Sequence, residues 1–92
     1  MPTVFIPTIL RKYAGNATTA QVPGSTLRDL VDNLEARHPG LKAHLVDPDG
    51  PDALIPGLAA VVDGEATILG LRQPLRPDSE VHFIPAVGGG AT

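Results

Sequence analysis

The chain has 92 residues, seven Lys or Arg against ten Asp or Glu, and a formal charge of −3. That balance disfavours nucleic acid, whose phosphates call for basic clusters, and only Phe5, Tyr13 and Phe83 offer aromatic rings to stack on bases. The absence of cysteine excludes disulfides and zinc–thiolate sites, leaving one domain-sized chain to build its core from Val, Leu, Ile and Ala.

Thr3 to Leu10 reads as a strand, rich in β-branched residues and interrupted by Pro7. Gly15-Asn16 is a turn signal, and Ala17 to Val22 a second strand closed by Pro23-Gly24, so the two strands form a hairpin with a long loop. Thr26 is placed as a helix N-cap, with Asp29 three residues on as a variant capping box. Leu27, Leu30, Val31 and Leu34 recur at i, i+3, i+4 and i+7 and define one buried helical face. Arg37 and His38 suit the negative end of the helix dipole, and Pro39-Gly40 stops the helix.

Leu41 to Val46 adds a short helical turn, and the Pro- and Asp-rich stretch Asp47 to Pro56 is a loop. Leu58 to Val62 is an apolar strand. Asp63-Gly64 is a two-residue hairpin turn, and Glu65 to Ile68 returns from it. Leu69 to Ser79 is irregular, and Glu80 to Pro85 is the last strand. The order implies an α+β domain with one main helix on one face of the sheet. The expected division is a domain over residues 1–87 and a glycine-rich tail over 88–92.

The tail is the most informative segment. Val87-Gly88-Gly89-Gly90-Ala91-Thr92 follows directly on the last strand. Without Cβ atoms, glycines can lie in a slot too narrow for side chains. Val87 to Gly90 can extend about 13 Å at ~3.3 Å per residue, enough to enter a partner's buried site. The bland alternative is a frayed end.

The element order resembles the β-grasp fold of ubiquitin, a mixed sheet of four or five strands with one helix. The ending Asp78-x-Glu80-Val81-x-Phe83-Ile84-Pro85-x-Val87-x-Gly89-Gly90 is similar to that of the prokaryotic sulfur carrier family, which includes the molybdopterin synthase small subunit and the thiamin sulfur carrier. Ile6-Pro7-Thr8-Ile9-Leu10-Arg11 and Ile84-Pro85-Ala86-Val87 look most like its actinobacterial branch for cysteine biosynthesis. In that family a ubiquitin-activating-type adenylyltransferase joins the terminal glycine carboxylate to AMP from ATP. A sulfur donor or sulfurtransferase then converts it to a thiocarboxylate for a sulfur-accepting synthase. The resemblance implies Gly90 as the terminal glycine and Gly89 as its neighbour, with no bound cofactor and no catalytic residue of the chain's own. The family's active form ends on Gly-Gly, whereas this chain continues with Ala91-Thr92. A JAMM-type zinc peptidase would cut between Gly90 and Ala91; a cut after Gly88-Gly89 is the alternative. Two further readings stay open: a modifier joined to lysines through Gly90, and the small subunit of a two-subunit enzyme.

A docking face is expected beside the tail. In a β-grasp sheet the first and last strands lie side by side. Val4, Ile6, Val81 and Phe83 then face the helix, while Phe5, Pro7 and Ile84 face outward, with Pro85 and Val87 leading to the tail. His38, His44 and His82 show no metal-ligand spacing and read as surface or capping residues. Asp47-Pro48-Asp49-Gly50 lacks the later acidic ligand of a calcium loop and reads as a turn. No basic-apolar leader and no membrane-length apolar run is read, so the expected location is the cytoplasm, with no membrane partner.

Overall fold

The structure, a computed structural model, describes residues 1–50 and 52–85. Gly89, Gly90, Ala91 and Val87, and the boundary between domain and tail, lie outside the described residues. The strands are β1 (Thr3–Phe5), β2 (Thr19–Gln21), β3 (Leu58–Val62), β4 (Glu65–Ala66) and β5 (Glu80–Pro85), and the helix α1 spans Leu27–Arg37. They form one five-stranded sheet in the order β2-β1-β5-β3-β4. β1 and β5 pair in parallel at its centre, and the other pairs are antiparallel.

The helix starts as the capping residues dictate. Thr26 is extended, and its side-chain oxygen accepts from the Asp29 N–H at 3.2 Å. The Asp29 carboxylate accepts the Ser25 hydroxyl at 2.9 Å, so its partner is Ser25 and not the backbone of the cap. Leu27, Leu30, Val31 and Leu34 are all buried, which confirms the helical face read from their spacing. At the other end the Glu35 carboxylate accepts the N–H groups of Gly40 and Lys42 at 2.9 and 2.8 Å. These two bonds, the Gly40 one foremost, stabilise the carboxylate and hold its pKa below the ordinary carboxylate range. They tie the helix exit to the 3-10 turn Lys42–His44, the short helical turn expected there.

The helix covers one face only. Val4, Ile6, Ala60, Val62, Val81 and Phe83 join its four buried residues in a single core, with Leu41, Leu45 and Leu71 closing the ends. Val4, Ile6, Val81 and Phe83 therefore face inward as expected. The Asp63-Gly64 turn is also confirmed: both residues have positive φ, 52° and 87°, the geometry a two-residue hairpin demands.

Three boundaries differ from the reading above. β1 ends at Phe5, and Thr8–Ala14 is a 3-10 helix instead of a continued strand. Pro7 has no N–H to give to a ladder, and its carbonyl accepts from Leu10 to open the new turn. Leu10 and Ala14 then enter the core from this helix. β2 is shorter than expected, limited by the length of its partner β1. β4 stops at Ala66 because the Thr67 hydroxyl accepts from the Leu69 N–H at 3.1 Å and turns the chain away, leaving Ile68 95% exposed.

Candidate functional site

The pairing register builds a row across the uncovered face. Phe5 lies opposite Thr19 on one side and His82 on the other; His82 lies opposite Val61, and Val61 opposite Ala66. Each alternates with a residue on the opposite side of its strand, so all point away from the helix. Ala59 and Ile84 pair one step closer to the tail. The face is thus largely apolar, and its members are half-buried or exposed.

Phe5 does not stand alone on this face. Its ring stacks on His82 with centroids 4.1 Å apart and planes 5° from parallel. Neighbouring strands run about 4.8 Å apart, so side chains in register across the β1–β5 pair meet flat to flat. The pair makes one rigid plate. His82 is therefore a half-buried residue of the same outward face as Phe5.

Beside the plate lies a groove of about 490 Å³. Pro7, Ile9 and Ile55 line it together with Leu58, Ile84 and Pro85, and His44 forms part of one wall. Pro7, Ile84 and Pro85, expected at the root of the tail, are brought together here; Phe5 sits on the open face instead. Ile84 is 42% exposed and belongs to both surfaces, and Ile9 is 79% exposed at the groove's rim. The Asp47–Pro56 loop does not bury this region. Asp52 is held on the helix side, by the Arg28 side chain and the Leu71 N–H, while among the described residues of the loop only Ile55 lines the groove. Ile9, Ile55 and His44 were not expected in the site. Ile9 was hidden by the reading of Thr3–Leu10 as one strand, and the other two arrive from elements distant in sequence. The exposure of Ile9 follows from the 3-10 repeat, since Leu10 takes the core position.

His44 stacks on Tyr13, with centroids 4.3 Å apart, and the Lys12 ammonium lies 5.2 Å from the Tyr13 centroid. His38 is the helix C-cap, as expected of a capping residue. Among the described residues no cluster of three or more His, Cys, Asp or Glu could hold a metal ion. In the Asp47 loop the Asp47 carboxylate accepts from the Asp49 N–H at 2.9 Å and its carbonyl from the Gly50 N–H at 3.2 Å, a hydrogen-bonded turn as read. No helix among the described residues is long and apolar enough to cross a membrane.

A five-stranded mixed sheet with a parallel central pair and one main helix on one face is the β-grasp arrangement. The model of the ThiS family matches residues 4–90. The chain belongs to the ThiS family. It is 34% identical to the sulfur carrier protein CysO of Mycobacterium tuberculosis over 90 residues, 96% of this chain and 97% of that protein. The crystal structure of that CysO superposes with a TM-score of 0.88 at 32% identity, covering 95% of this chain and all of the other. CysO in the Amycolatopsis orientalis BexX/CysO complex gives 0.86 at 33% identity over 98% and 100% of the two chains. SAMP1 of Haloferax volcanii gives 0.73 at 27% identity over 97% and 98%.

Proposed function

We propose that this ThiS-family chain is a sulfur carrier serving cysteine formation or a related sulfur-incorporating biosynthesis, and that its reactive group is the carboxylate of Gly90. The observation that carries the reading is the family match running through residue 90, which ends on Gly89-Gly90 and leaves Ala91-Thr92 outside. The likeness to CysO over nearly the whole chain supports the same assignment.

The chemistry follows from the weakness of a carboxylate as an electrophile. An activating partner joins the Gly90 carboxylate to the α-phosphate of ATP, releasing pyrophosphate and forming an acyl adenylate. A hydrosulfide equivalent from a sulfur donor or sulfurtransferase adds to the acyl carbon. AMP leaves with the C–O bond, and a thiocarboxylate remains. Its sulfur is soft and nucleophilic, as thiolates are, and a sulfur-accepting synthase uses it. ATP is the partner's substrate, and the carrier contributes no acid, base or metal. Its contribution is recognition: the Phe5–His82 plate and the groove at Ile84 dock the partner and aim the tail. That a CysO of Amycolatopsis orientalis occurs in complex with BexX supports docking as a property of this body.

Ala91-Thr92 blocks Gly90 and is removed first by a zinc peptidase. The test compares the 92-residue and 90-residue forms with ATP, the cognate activating enzyme and sulfide. We expect only the shorter form to gain the mass of sulfur replacing oxygen. Equal AMP adducts on both forms would overturn the processing step, and no thiocarboxylate on either would overturn the carrier reading. Similarity to SAMP1, a small archaeal modifier protein, favours one second reading, in which activated Gly90 is joined to lysine amines. Isopeptide-linked conjugates in cell extracts would mark that outcome.

A further inference from the structure

The charges of this chain are unevenly placed. Residues 1–28 contain Arg11, Lys12 and Arg28 and no carboxylate, while all ten acidic residues lie from Asp29 onward. The groove at the root of the tail draws one wall from this acid-free segment, and no Asp or Glu lines it. One wall of the apolar groove therefore comes from the acid-free segment, which carries Arg11 and Lys12.

The 3-10 helix sets the local geometry. With three residues per turn, side chains at i and i+3 eclipse, so Ile9 and Lys12 share one side, and both are exposed. An apolar anchor point and an ammonium thus stand together at the rim. The Tyr13 ring meets both the Lys12 ammonium and the groove-lining His44, which links the cation to the groove wall. The Arg11 Nε–H donates to the Ile6 carbonyl at 3.2 Å, fixing a second cation one residue before Pro7.

We propose that this groove selects a partner segment bearing an apolar side chain flanked by carboxylates, the apolar group entering between Ile9, Ile55 and Ile84 and the carboxylates meeting Lys12 and Arg11. The proposal deepens the docking part of the sulfur-carrier reading and rests on it. It assigns the partner's chemistry on one side of the contact. A basic or neutral segment would leave the cations uncompensated or repelled. Complementary charge of this kind governs partner choice and association rate more than total affinity. An exposed ion pair adds up to about fivefold in affinity, so two pairs replaced by two repulsions give a preference of about tenfold or more.

The test uses isotopically labelled full-length chain and two synthetic peptides with a Leu-Phe centre, one flanked by Asp and Glu and the other by Lys. We expect the acidic peptide to shift the amide resonances of Ile9, His44, Ile55 and Gly57 and to bind about ten times more tightly than the Lys peptide. The difference should shrink at about 0.5 M salt, where charges are screened beyond a few ångströms. Lys12→Glu should narrow or invert the preference, and Ile9→Ser should weaken both peptides. Equal affinities, no binding of the acidic peptide, or shifts confined to other surfaces would overturn the proposal. Should a variant fail to fold, the wild-type comparison and its salt dependence decide alone. Thiocarboxylate formation on the same wild-type protein reports the carrier reading separately.

Discussion

Replacing Ile84 measures what the docking surface contributes. Ile84 lies on the open side of β5, between the plate and the groove, and 42% of it is exposed. An isoleucine offers about 180 Å² to solvent, so about 75 Å² remains for a partner to cover, worth ~2 kcal/mol at about 25 cal/mol per Å². Ile84→Asp forfeits that area and sets a carboxylate in an apolar contact, so kcat/KM for adenylation by the activating enzyme should fall about 30-fold or more. Aspartate is disfavoured in a strand by up to ~1 kcal/mol, which lowers the melting temperature by about 4–8 °C while leaving the fold intact. ATP–pyrophosphate exchange on the 90-residue form reads the first effect and circular dichroism the second. Ile68→Asp is the control, since Ile68 is more exposed but lies past the far edge strand β4. Unchanged exchange by a folded Ile84→Asp protein, or an equal loss in the Ile68 control, would refute the placement of the docking surface. Global unfolding would mean that Ile84 supports the core.

Phe5→Ala should remove the stack with His82, worth ~0.5–1.5 kcal/mol, and slow adenylation without unfolding the protein, as exchange kinetics and near-ultraviolet spectra would report. Gly90→Ala in the 90-residue form should reduce thiocarboxylate yield about 100-fold, because a methyl beside the reacting carboxylate displaces it by about 1 Å; mass spectrometry reads the yield. Gly70→Ala should destabilise by ~2–3 kcal/mol in urea unfolding, since φ is +58° and a Cβ would sit 2.3 Å from the Asp52 carbonyl oxygen. The Asp63 carboxylate accepts the Glu80 N–H at 2.9 Å and the Ser79 hydroxyl at 2.8 Å, with Arg76 beside it, and the Glu80 bond foremost holds its pKa below the ordinary range. Its stabilising contribution is thus present above the unfolded pKa of about 4 and lost as pH falls through the lower folded value. Asp63→Asn, which tolerates the positive φ, should flatten this acid limb of the urea-midpoint profile.

What the sequence showed depended on whether the signal was local. The α1 face, its Thr26 cap and the Asp63-Gly64 turn are written in spacings of two to seven residues, and the structure has them where they were read. The inward and outward sets of β1 and β5 followed from alternation together with the β-grasp resemblance, since both faces of β1 are apolar. Thr8–Ala14 was misread because Ile9-Leu10 continues the apolar look of β1, and an apolar run does not distinguish strand from 3-10 turn. The Phe5–His82 stack depends on the parallel register of two strands separated by most of the chain. No local pattern fixes that register, so the partner of Phe5 was not legible. The groove was illegible for the same reason, as Ile9, His44 and Ile55 meet only after the whole sheet has closed.

If the chain acts through its C-terminal end as proposed, the placement of β5 bears on how that end is held. β5 is hydrogen-bonded on both sides, to β1 in parallel and β3 in antiparallel, and its inward residues Val81 and Phe83 are buried in the core. Central strands belong to the units that open only with the whole domain. A pull on the residues after Pro85 therefore loads the most firmly held strand of the sheet. An edge strand in that position would peel when a partner drew the tail into its site, and the docking residues would peel with it. Ile84 and Pro85 are the last steps of this central strand, so the groove they line is anchored to it. On the proposed sulfur-carrier reading, such an anchored strand keeps the body intact while a partner handles the residues that follow it.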